Sequence, residues 1–227
     1  FVGGVTVSSV TLHNEDEIAR LGIHVGDTVL VERSGDVIPK VVRVVAPGHS
    51  RVKFQMPDVC PVCNGHVIRL IDEAATRCVN SSCPARLKES ILHFASRAFM
   101  SIDNLGDSVV DQLVDNKLVE NVADLYDLTL TDLLTLDRMG QRSAEKLLKN
   151  IQQSKSAELP KVLGGLGIRL VGRRAGQKLA ETFGSIENIQ NARADELCQI
   201  DGIGQSVATA LGEFFREPQN LELIKRL

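Results

Sequence analysis

Four of the five cysteines have the spacing of a metal site. Cys60 and Cys63 form one pair, Cys78 and Cys83 form a second, and fourteen residues separate the two pairs. Zinc accepts four thiolates in a tetrahedron, and a site with no open position stabilises a fold rather than catalysing a reaction. A segment of this size buries little apolar surface, so the metal would supply its folding free energy. The spacing therefore predicts a structural zinc ion.

Two disulfides or an iron–sulfur cluster are the alternatives for these cysteines. Disulfides are typical of secreted proteins, but the sequence shows no signal-peptide pattern and has an odd number of cysteines. An iron–sulfur cluster also uses four cysteines, but the layout in two knuckles favours zinc. The fifth cysteine, Cys198, has helical spacing with Leu197 and Ile200, and we expect it to pack in or near a core without chemistry.

A short turn that ends in glycine recurs four times after the cysteines. The intervals between the last glycines are 34, 32 and 32 residues, which indicates a repeated supersecondary unit. Apolar residues at helical spacing flank each turn, and a small residue follows the last glycine by four positions in three of them. The turns, numbered one to four along the chain, are Asn104–Gly106, Arg138–Gly140, Leu170–Gly172 and Gly202–Gly204.

This pattern predicts helix-hairpin-helix units that bind duplex DNA through its phosphates. Glycine permits a positive φ and a close approach of the backbone to a partner. The N–H groups at the start of the second helix then form an anion site. Such contacts position a protein on DNA without reading its sequence. Hairpins with a purely structural role are the alternative, since a single glycine turn often marks only a helix cap.

The net charge of −3 conceals a strongly basic block. Residues 138–178 carry ten basic and two acidic residues, while 103–137 carry nine acids and one lysine. A basic block beside acidic neighbours favours a polyanionic partner, although solvated helix faces of alternating sign would give the same composition. The block coincides with turns two and three. The candidate DNA-binding residues around the turns are Gly106, Arg138, Gly140, Arg142, Lys146, Arg169, Gly172, Arg173, Arg174, Gly202 and Gly204.

Residues 1–59 have a β pattern. Strands are predicted over 26–33, 37–45 and 51–54, with a short helix over 15–21 behind an Asn14 cap. Short strands with one helix fit part of a small Greek-key barrel of the oligonucleotide-binding (OB) type. The strands are too few to close a barrel and the first residues already read as a strand, so we expect a segment of a longer protein. His13 has no partner placed for catalysis and is predicted to be structural.

The amino-acid composition limits the kinds of protein to which the chain can belong. Hydrophobic residues make up 43% and charged residues 24%, which is typical of a globular chain and excludes disorder. The most apolar run, 40–47, is too short to span a bilayer. The predicted fold class is multidomain α+β. We expect a partial five-stranded Greek-key barrel over 1–59, a small four-cysteine zinc finger over 60–90 and an all-α array of four hairpins over 91–227.

The order of these parts resembles the C-terminal portion of the bacterial NAD-dependent DNA ligases. The resemblance covers essentially the whole chain and rests on the cysteines, the four hairpins and several short motifs. These motifs are Thr11-Leu-His-Asn14, Gly35-Asp-Val-Ile-Pro39, Ser143-Ala144 and Leu166-Gly-Ile-Arg169. Asn104 stands where the family usually has glycine, so hairpin one is the weakest DNA candidate.

The resemblance implies an enzyme that seals nicks in duplex DNA during replication and repair, in the bacterial cytoplasm. It implies that the OB domain faces the minor groove through Arg33, Val37 and Ile38, and that the hairpins grip the duplex by backbone contacts. NAD⁺ and Mg²⁺ would bind to domains outside this segment. The family's Lys-x-Asp-Gly motif is absent, so we expect no catalytic residue here and no activity of the segment alone. We also expect no membrane contact and a monomer.

Other classes of protein share some of these features. A non-catalytic DNA repair or junction-binding module could also combine zinc with hairpins, but the Thr11-Leu-His-Asn14 motif argues against it. A hairpin-containing glycosylase would need a lysine in a hairpin turn or a base-flipping pocket, and no turn contains lysine. A purely structural scaffold leaves the basic block unexplained.

Overall fold

The computed structural model describes residues 6–34, 38–70, 73–80 and 82–227 of the chain. The chain divides into two compact units, Phe1–Cys83 and Pro84–Leu227. The first contains the described strands and one helix, and the second is helical, so the predicted α+β class is confirmed. The sequence-based boundaries at residues 59 and 90 stay predictions.

The described part of the first unit contains one helix and three two-stranded antiparallel sheets, with β1 paired to β4, β2 to β3 and β5 to β6. The helix begins after Asn14, whose side chain accepts a hydrogen bond from the Glu17 N–H at 3.0 Å. The β2–β3 ribbon has two register shifts, which bend a strand pair locally. The elements are α1 (Glu15–Leu21), β1 (His24–Val25), β2 (Thr28–Ser34), β3 (Ile38–Ala46), β4 (Val52–Lys53), β5 (Val67–Arg69) and β6 (Thr76–Cys78).

These elements match most of the sequence reading of the OB region. The helix over 15–21 and its Asn14 cap are confirmed, and β2 and β3 lie within two residues of the predicted strands. Residues 6–10 have no regular secondary structure, so Thr6 and Val7 do not lie in the strand that the first residues suggested, and the rest of that pattern lies outside the described residues. The described strands do not form a closed barrel, and a single bridge from Thr11 to Lys40 adds to the two ribbons.

A buried carboxylate fixes the loop between β3 and β4. The Asp27 side chain is fully buried and accepts hydrogen bonds from Arg51 at 2.8 Å and from the N–H groups of Gly48 and His24 at 3.0 Å. These donors, with Arg51 the strongest, lower the pKa of Asp27 to about 2. Because the pKa is lowered, the interaction stabilises the fold above about pH 4 and is lost as the pH falls towards 2.

The second unit, whose residues are all described, consists of ten α-helices and one 3₁₀ helix, Val122–Tyr126. Four helix pairs surround the four turns. In each pair the second helix, α3, α5, α7 or α10, begins directly after the last glycine. The helices are α2 (Pro84–Ala95), α3 (Asp107–Asp115), α4 (Leu130–Leu134), α5 (Gln141–Ser154), α6 (Leu159–Gly165), α7 (Arg173–Phe183), α8 (Ile186–Asn191), α9 (Ala194–Cys198), α10 (Gln205–Arg216) and α11 (Pro218–Arg226).

Two apolar cores organise the hairpins in pairs. The first core contains Phe94 and Leu147 and belongs to hairpins one and two, and the second contains Leu179 and Leu211 and belongs to hairpins three and four. Helix α11 contributes to both, because Leu223 packs against the first core while Leu221 and Ile224 pack against the second. At its end Arg226 pairs with Asp124 at 2.7 Å and Asp127 at 2.5 Å.

Substitution by alanine at two helical glycines should change the stability of the chain in opposite directions. A Cβ at Gly176 would lie 2.8 Å from the Pro160 carbonyl oxygen, whereas at Gly212 it would meet no described atom within 4 Å. We expect Gly176→Ala to destabilise the chain by about 1–3 kcal/mol through overpacking. Gly212→Ala should stabilise it by about 0.5–1 kcal/mol through helix propensity. Urea unfolding of both variants tests this, and equal effects would contradict the packing of α7 against α6.

Candidate zinc site and nucleic-acid interface

The four clustered cysteines converge on one point in the first unit. Their Sγ atoms all lie within 4.8 Å of one another, with Cys60 to Cys83 at 3.9 Å and Cys63 to Cys78 at 3.5 Å. Zinc–sulfur bonds of about 2.3 Å place tetrahedral sulfurs about 3.8 Å apart. The observed distances fit this arrangement and are far longer than a disulfide bond of about 2 Å. All five cysteines are free.

The first knuckle directs backbone N–H groups at its sulfurs. The Gly65 N–H donates to Cys63 Sγ at 3.4 Å, and a turn is closed by Cys60 N–H to the Gly65 carbonyl at 2.8 Å. The space at Gly65 is tight, because a Cβ would lie 3.2 Å from Cys63 Sγ and 3.0 Å from the Asn80 Cβ, so a larger residue would displace one of them. Hydrogen bonds from the Asn80 side chain and the Gly65 N–H lower the pKa of Cys63 to about 6.

The other cysteines show why the cluster needs a cation. Backbone N–H groups of Cys63 and Val62 lower the pKa of Cys60, whereas burial raises the pKa of Cys78 to about 12. Four thiolates this close repel one another unless a metal neutralises them. The donor set therefore fits zinc. The contribution of Asn80 was not evident from the cysteine spacing, since a lone asparagine two residues after a cysteine has no distinctive signature.

The four turns share one backbone geometry in the second unit. The residue two before the last glycine has a positive φ in every case, at 69° for Asn104, 60° for Arg138, 65° for Leu170 and 82° for Gly202. The next side chain points into a core: Leu105, Val171 and Ile203 are buried and Met139 is half-buried. Three of the four left-handed residues are not glycine, so a glycine pattern alone could not have located this position.

The last glycine of each turn begins the following helix. Gly106, Gly140, Gly172 and Gly204 have φ between −96° and −86°, so the positive φ of each turn belongs to the residue two positions earlier. Each of these glycines is the N-cap of the following helix, and no described side chain caps that helix. A Cβ at any of the four would meet no described atom within 4 Å. The first N–H groups of these helices are therefore open to solvent.

A buried residue lies at the same position of each helix pair, and in three of the four pairs it is small. The position four after the last glycine is occupied by Val110, Ala144, Gly176 and Ala208, and all four are buried. Each N–H donates to the carbonyl of the last glycine, at 2.8–3.1 Å, in the first helical bond. The close packing that was predicted from Ala144, Gly176 and Ala208 is confirmed, and Val110 completes the set.

The candidate basic residues lie around turns two and three. The side chains of Arg138, Arg142, Lys146, Arg173 and Arg174 are exposed and form no ion pair within the described part of the chain. Arg142 lies in a shallow surface depression with Gly140, Ser143 and Glu145 at the start of α5. Arg169 is exposed and directly precedes the left-handed Leu170. The structure thus brings these cations together with the open N-termini of α5 and α7.

The described candidate residues of the OB region, Arg33 and Ile38, lie at the end of β2 and the start of β3. Backbone pairing joins Arg33 to Pro39 and Ser34 to Ile38, and Ile38 is 59% exposed. Val37 and the Arg33 side chain lie outside the described residues. Cys198 is exposed, with its Sγ 3.6 Å from Gln205 Oε1, so the prediction that it packs in or near a core was wrong.

Family models match three parts of the chain, in the order that the sequence indicated. The NAD-dependent DNA ligase OB-fold domain matches residues 1–53, the NAD-dependent DNA ligase C4 zinc finger domain matches 59–85, and the helix-hairpin-helix motif matches 161–224. The chain is thus similar to this portion of the NAD-dependent DNA ligases. The C4 zinc-finger match and the sulfur geometry together support a structural zinc at the four clustered cysteines.

Curated relatives agree with this assignment. Proteins named DNA ligase from Solibacter usitatus, Koribacter versatilis and Saccharophagus degradans are 58%, 54% and 49% identical to the chain, over 226, 229 and 231 residues. Each alignment covers 100% of the chain and 34% of the relative, so the chain spans about a third of the length of these ligases. None of the helices within the described ranges is long and apolar enough to cross a bilayer.

Removing the metal should loosen the zinc finger and leave the hairpins intact. We expect a strong zinc chelator, or Cys78→Ser, to speed amide hydrogen exchange across β5, β6 and the first knuckle, because zinc supplies the folding energy there. Exchange in α5 and α7 should not change, since their apolar cores are separate. Cys198→Ser is the matched control, which should keep its zinc content and exchange pattern. Unfolding of the whole chain on chelation would contradict the independence of the two units.

Proposed function

We propose that this chain is the DNA-gripping portion of an NAD-dependent DNA ligase that seals nicks in duplex DNA. In this proposal the hairpins hold the phosphates of the duplex, and the reaction joins a 3′-hydroxyl to a 5′-phosphate elsewhere in the enzyme. The chain itself contributes no catalytic residue. We further propose a monomer that works in the bacterial cytoplasm in replication and repair.

The open helix N-termini carry this proposal. Three other helices of the same unit are capped by side chains, since Asn121, Thr129 and Ser185 each accept a hydrogen bond from the first turn that follows. Helices α6 and α11 also lack a side-chain cap, but each has a proline in its first turn, which removes one N–H donor. The four hairpin helices instead begin at glycines with no cap from any described side chain. Unsatisfied N–H groups and the positive end of the helix dipole favour a phosphate at these ends.

The four hairpins differ in the charges around their turns, and we expect their affinities for phosphate to differ accordingly. Hairpins two and three combine an open N-terminus with exposed cations, namely Arg138, Arg142, Lys146, Arg169, Arg173 and Arg174. Turn one is flanked by Asp103 and Asp107, which repel phosphate, so it should contribute least. Turn four, with Gly202 and Gly204, has few cations and would bind through its backbone N–H groups.

We propose that the first unit also contacts the duplex. We propose that Cys60, Cys63, Cys78 and Cys83 bind the structural zinc, and that the β2–β3 turn, with Arg33, Val37 and Ile38, faces the minor groove at the nick. NAD⁺ and Mg²⁺ would be bound by parts of the ligase outside this chain. We assign the OB region to 1–59, the zinc finger to 60–90 and the hairpins to 91–227.

Substitution of the turn glycines should separate DNA binding from stability. A side chain at Gly140 or Gly172 would meet no described atom of the protein but would occupy the space in front of the helix N-terminus. We expect Gly140→Val and Gly172→Val to weaken duplex binding by about tenfold or more, while the free energy of unfolding changes by less than about 1 kcal/mol. Gly106→Val, at the acidic turn, is the comparison and should have the smallest effect.

Salt titration of duplex binding completes this test. Phosphate contacts release counterions, so the logarithm of the binding constant should fall linearly as the logarithm of the salt concentration rises. A flat salt response, or glycine variants that unfold the chain without affecting binding, would favour hairpins with a structural role only.

Complementation in trans tests the ligase assignment itself. The chain would be mixed with an adenylation-domain fragment of an NAD-dependent ligase and assayed for sealing of a nicked duplex with NAD⁺. Sealing that requires both pieces is expected, because the fragment has the nucleotide-transfer residues and the chain has the DNA grip. Salt-sensitive duplex binding without any sealing would favour the non-catalytic repair or junction-binding module instead.

A further inference from the structure

In each hairpin pair, one side chain from the first hairpin holds the turn of the second. In the first pair, Gln112 of α3 accepts a hydrogen bond from the Asp137 N–H at 2.6 Å and donates to the Asp137 carbonyl at 3.5 Å. In the second pair, Lys178 of α7 donates to the Asp201 carbonyl and to its carboxylate, each at 2.5 Å.

The two contacts occupy equivalent positions in the repeat. Gln112 lies six residues after Gly106 and Lys178 six residues after Gly172, so both stand in the second turn of the corresponding helix. Asp137 lies three residues before Gly140 and Asp201 three residues before Gly204. Two different side chain types thus hydrogen-bond to the residue at the same position of the repeat in both pairs, mainly through its N–H at Asp137 and through its carbonyl and carboxylate at Asp201.

The backbone position that they hold controls the open N-terminus. Asp137 and Asp201 directly precede Arg138 and Gly202, the residues with positive φ. These bonds restrict the backbone of the residue from which the turn departs, and the N-cap glycine follows two residues after the left-handed residue. They would therefore help to set the orientation of the N–H groups of α5 and α10.

We propose that Gln112 and Lys178 are positioning residues, which align the phosphate site of the second hairpin in each pair with that of the first. The inference rests on the proposed duplex binding and adds how two phosphate sites act on one duplex together. Two sites at a fixed spacing bind with a gain from effective concentration, and this gain is lost when their geometry varies. Lys178 would accordingly act on its neighbour's turn and not on a phosphate.

Lys146 provides the contrast within the same chain. It lies six residues after Gly140, as Lys178 does after Gly172, but its side chain is exposed and makes no ion pair with any described residue. The same residue type at the same repeat position thus has two environments. We expect Lys146 to contact a phosphate and Lys178 to hold a turn.

The test compares duplex affinity in variants of matched charge. Gln112→Met changes no charge, and we expect it to weaken binding by about three- to fivefold, the scale of one surface contact. Lys178→Met and Lys178→Gln both remove one positive charge, but only glutamine can still reach the Asp201 carbonyl, as Gln112 reaches Asp137. Lys178→Gln should therefore bind several-fold more tightly than Lys178→Met.

Two further variants serve as controls. Gln153→Met replaces an exposed glutamine of α5 whose side chain makes no hydrogen bond to a described residue, and it should leave affinity unchanged. Lys146→Met should weaken binding and lower the salt slope by about one unit, as loss of a phosphate contact does. The slope for Gln112→Met should equal that of the unmodified chain.

Hydrogen exchange in the free protein keeps the inference separate from the proposed function. The turn bonds from the Met139 N–H to the Leu136 carbonyl and from the Ile203 N–H to the Ile200 carbonyl report on the two turns without DNA. We expect faster exchange at Met139 in Gln112→Met and at Ile203 in Lys178→Met, with Lys178→Gln close to the unmodified chain.

The possible results of these experiments lead to different conclusions about Gln112 and Lys178. Equal affinity loss in both Lys178 variants, with Gln112→Met unaffected, would make Lys178 a phosphate contact and overturn the inference. Unchanged exchange at both turns would overturn it as well, whatever the affinities. Faster exchange with no duplex binding by the unmodified chain would uphold the turn contacts and refute the proposed function.

Discussion

The second unit is organised around four helix N-termini that have no cap from any described residue of the protein. An uncapped helix end leaves backbone N–H groups without a partner, which is tolerated because these ends face water. Three features recur to hold that geometry: a left-handed residue, a buried apolar side chain and an extended glycine, as in Leu170, Val171 and Gly172. The small residue that follows four positions later lets the two helices pack closely.

The two units are stabilised by different means. The second has two apolar cores, which contain large side chains such as Phe94 and Leu211. Among the described residues of the first unit, the only buried apolar side chains are those of Cys60 and Cys83, two of the proposed zinc ligands. The metal cluster and the Asp27 hydrogen bonds therefore take the part that a core plays elsewhere, which is expected for a small β-rich unit.

Charge and geometry act together at the hairpins. The basic block was visible in composition, but composition does not show which cations are engaged. The structure separates exposed Arg142 and Arg173 from Lys178, which is bonded to the neighbouring turn. It also shows that two separate apolar cores organise the hairpins in pairs, and that α11 joins the pairs, because it packs on both cores and its Arg226 bonds to Asp124 of the 3₁₀ helix. The proposed phosphate binding would depend on the spacing of the hairpins as much as on charge.

The sequence by itself determined the parts that are encoded locally. Cysteine spacing predicted the metal cluster, the 32–34 residue repeat predicted the hairpins, and Asn14 predicted the start of α1, because each depends on residues close in the chain. The tertiary structure decided the rest: the left-handed conformation of Arg138 and Leu170, the exposure of Cys198, the donors to Cys63 and the engagement of Lys178. These depend on which segments meet in space, and residue type does not specify such long-range contacts.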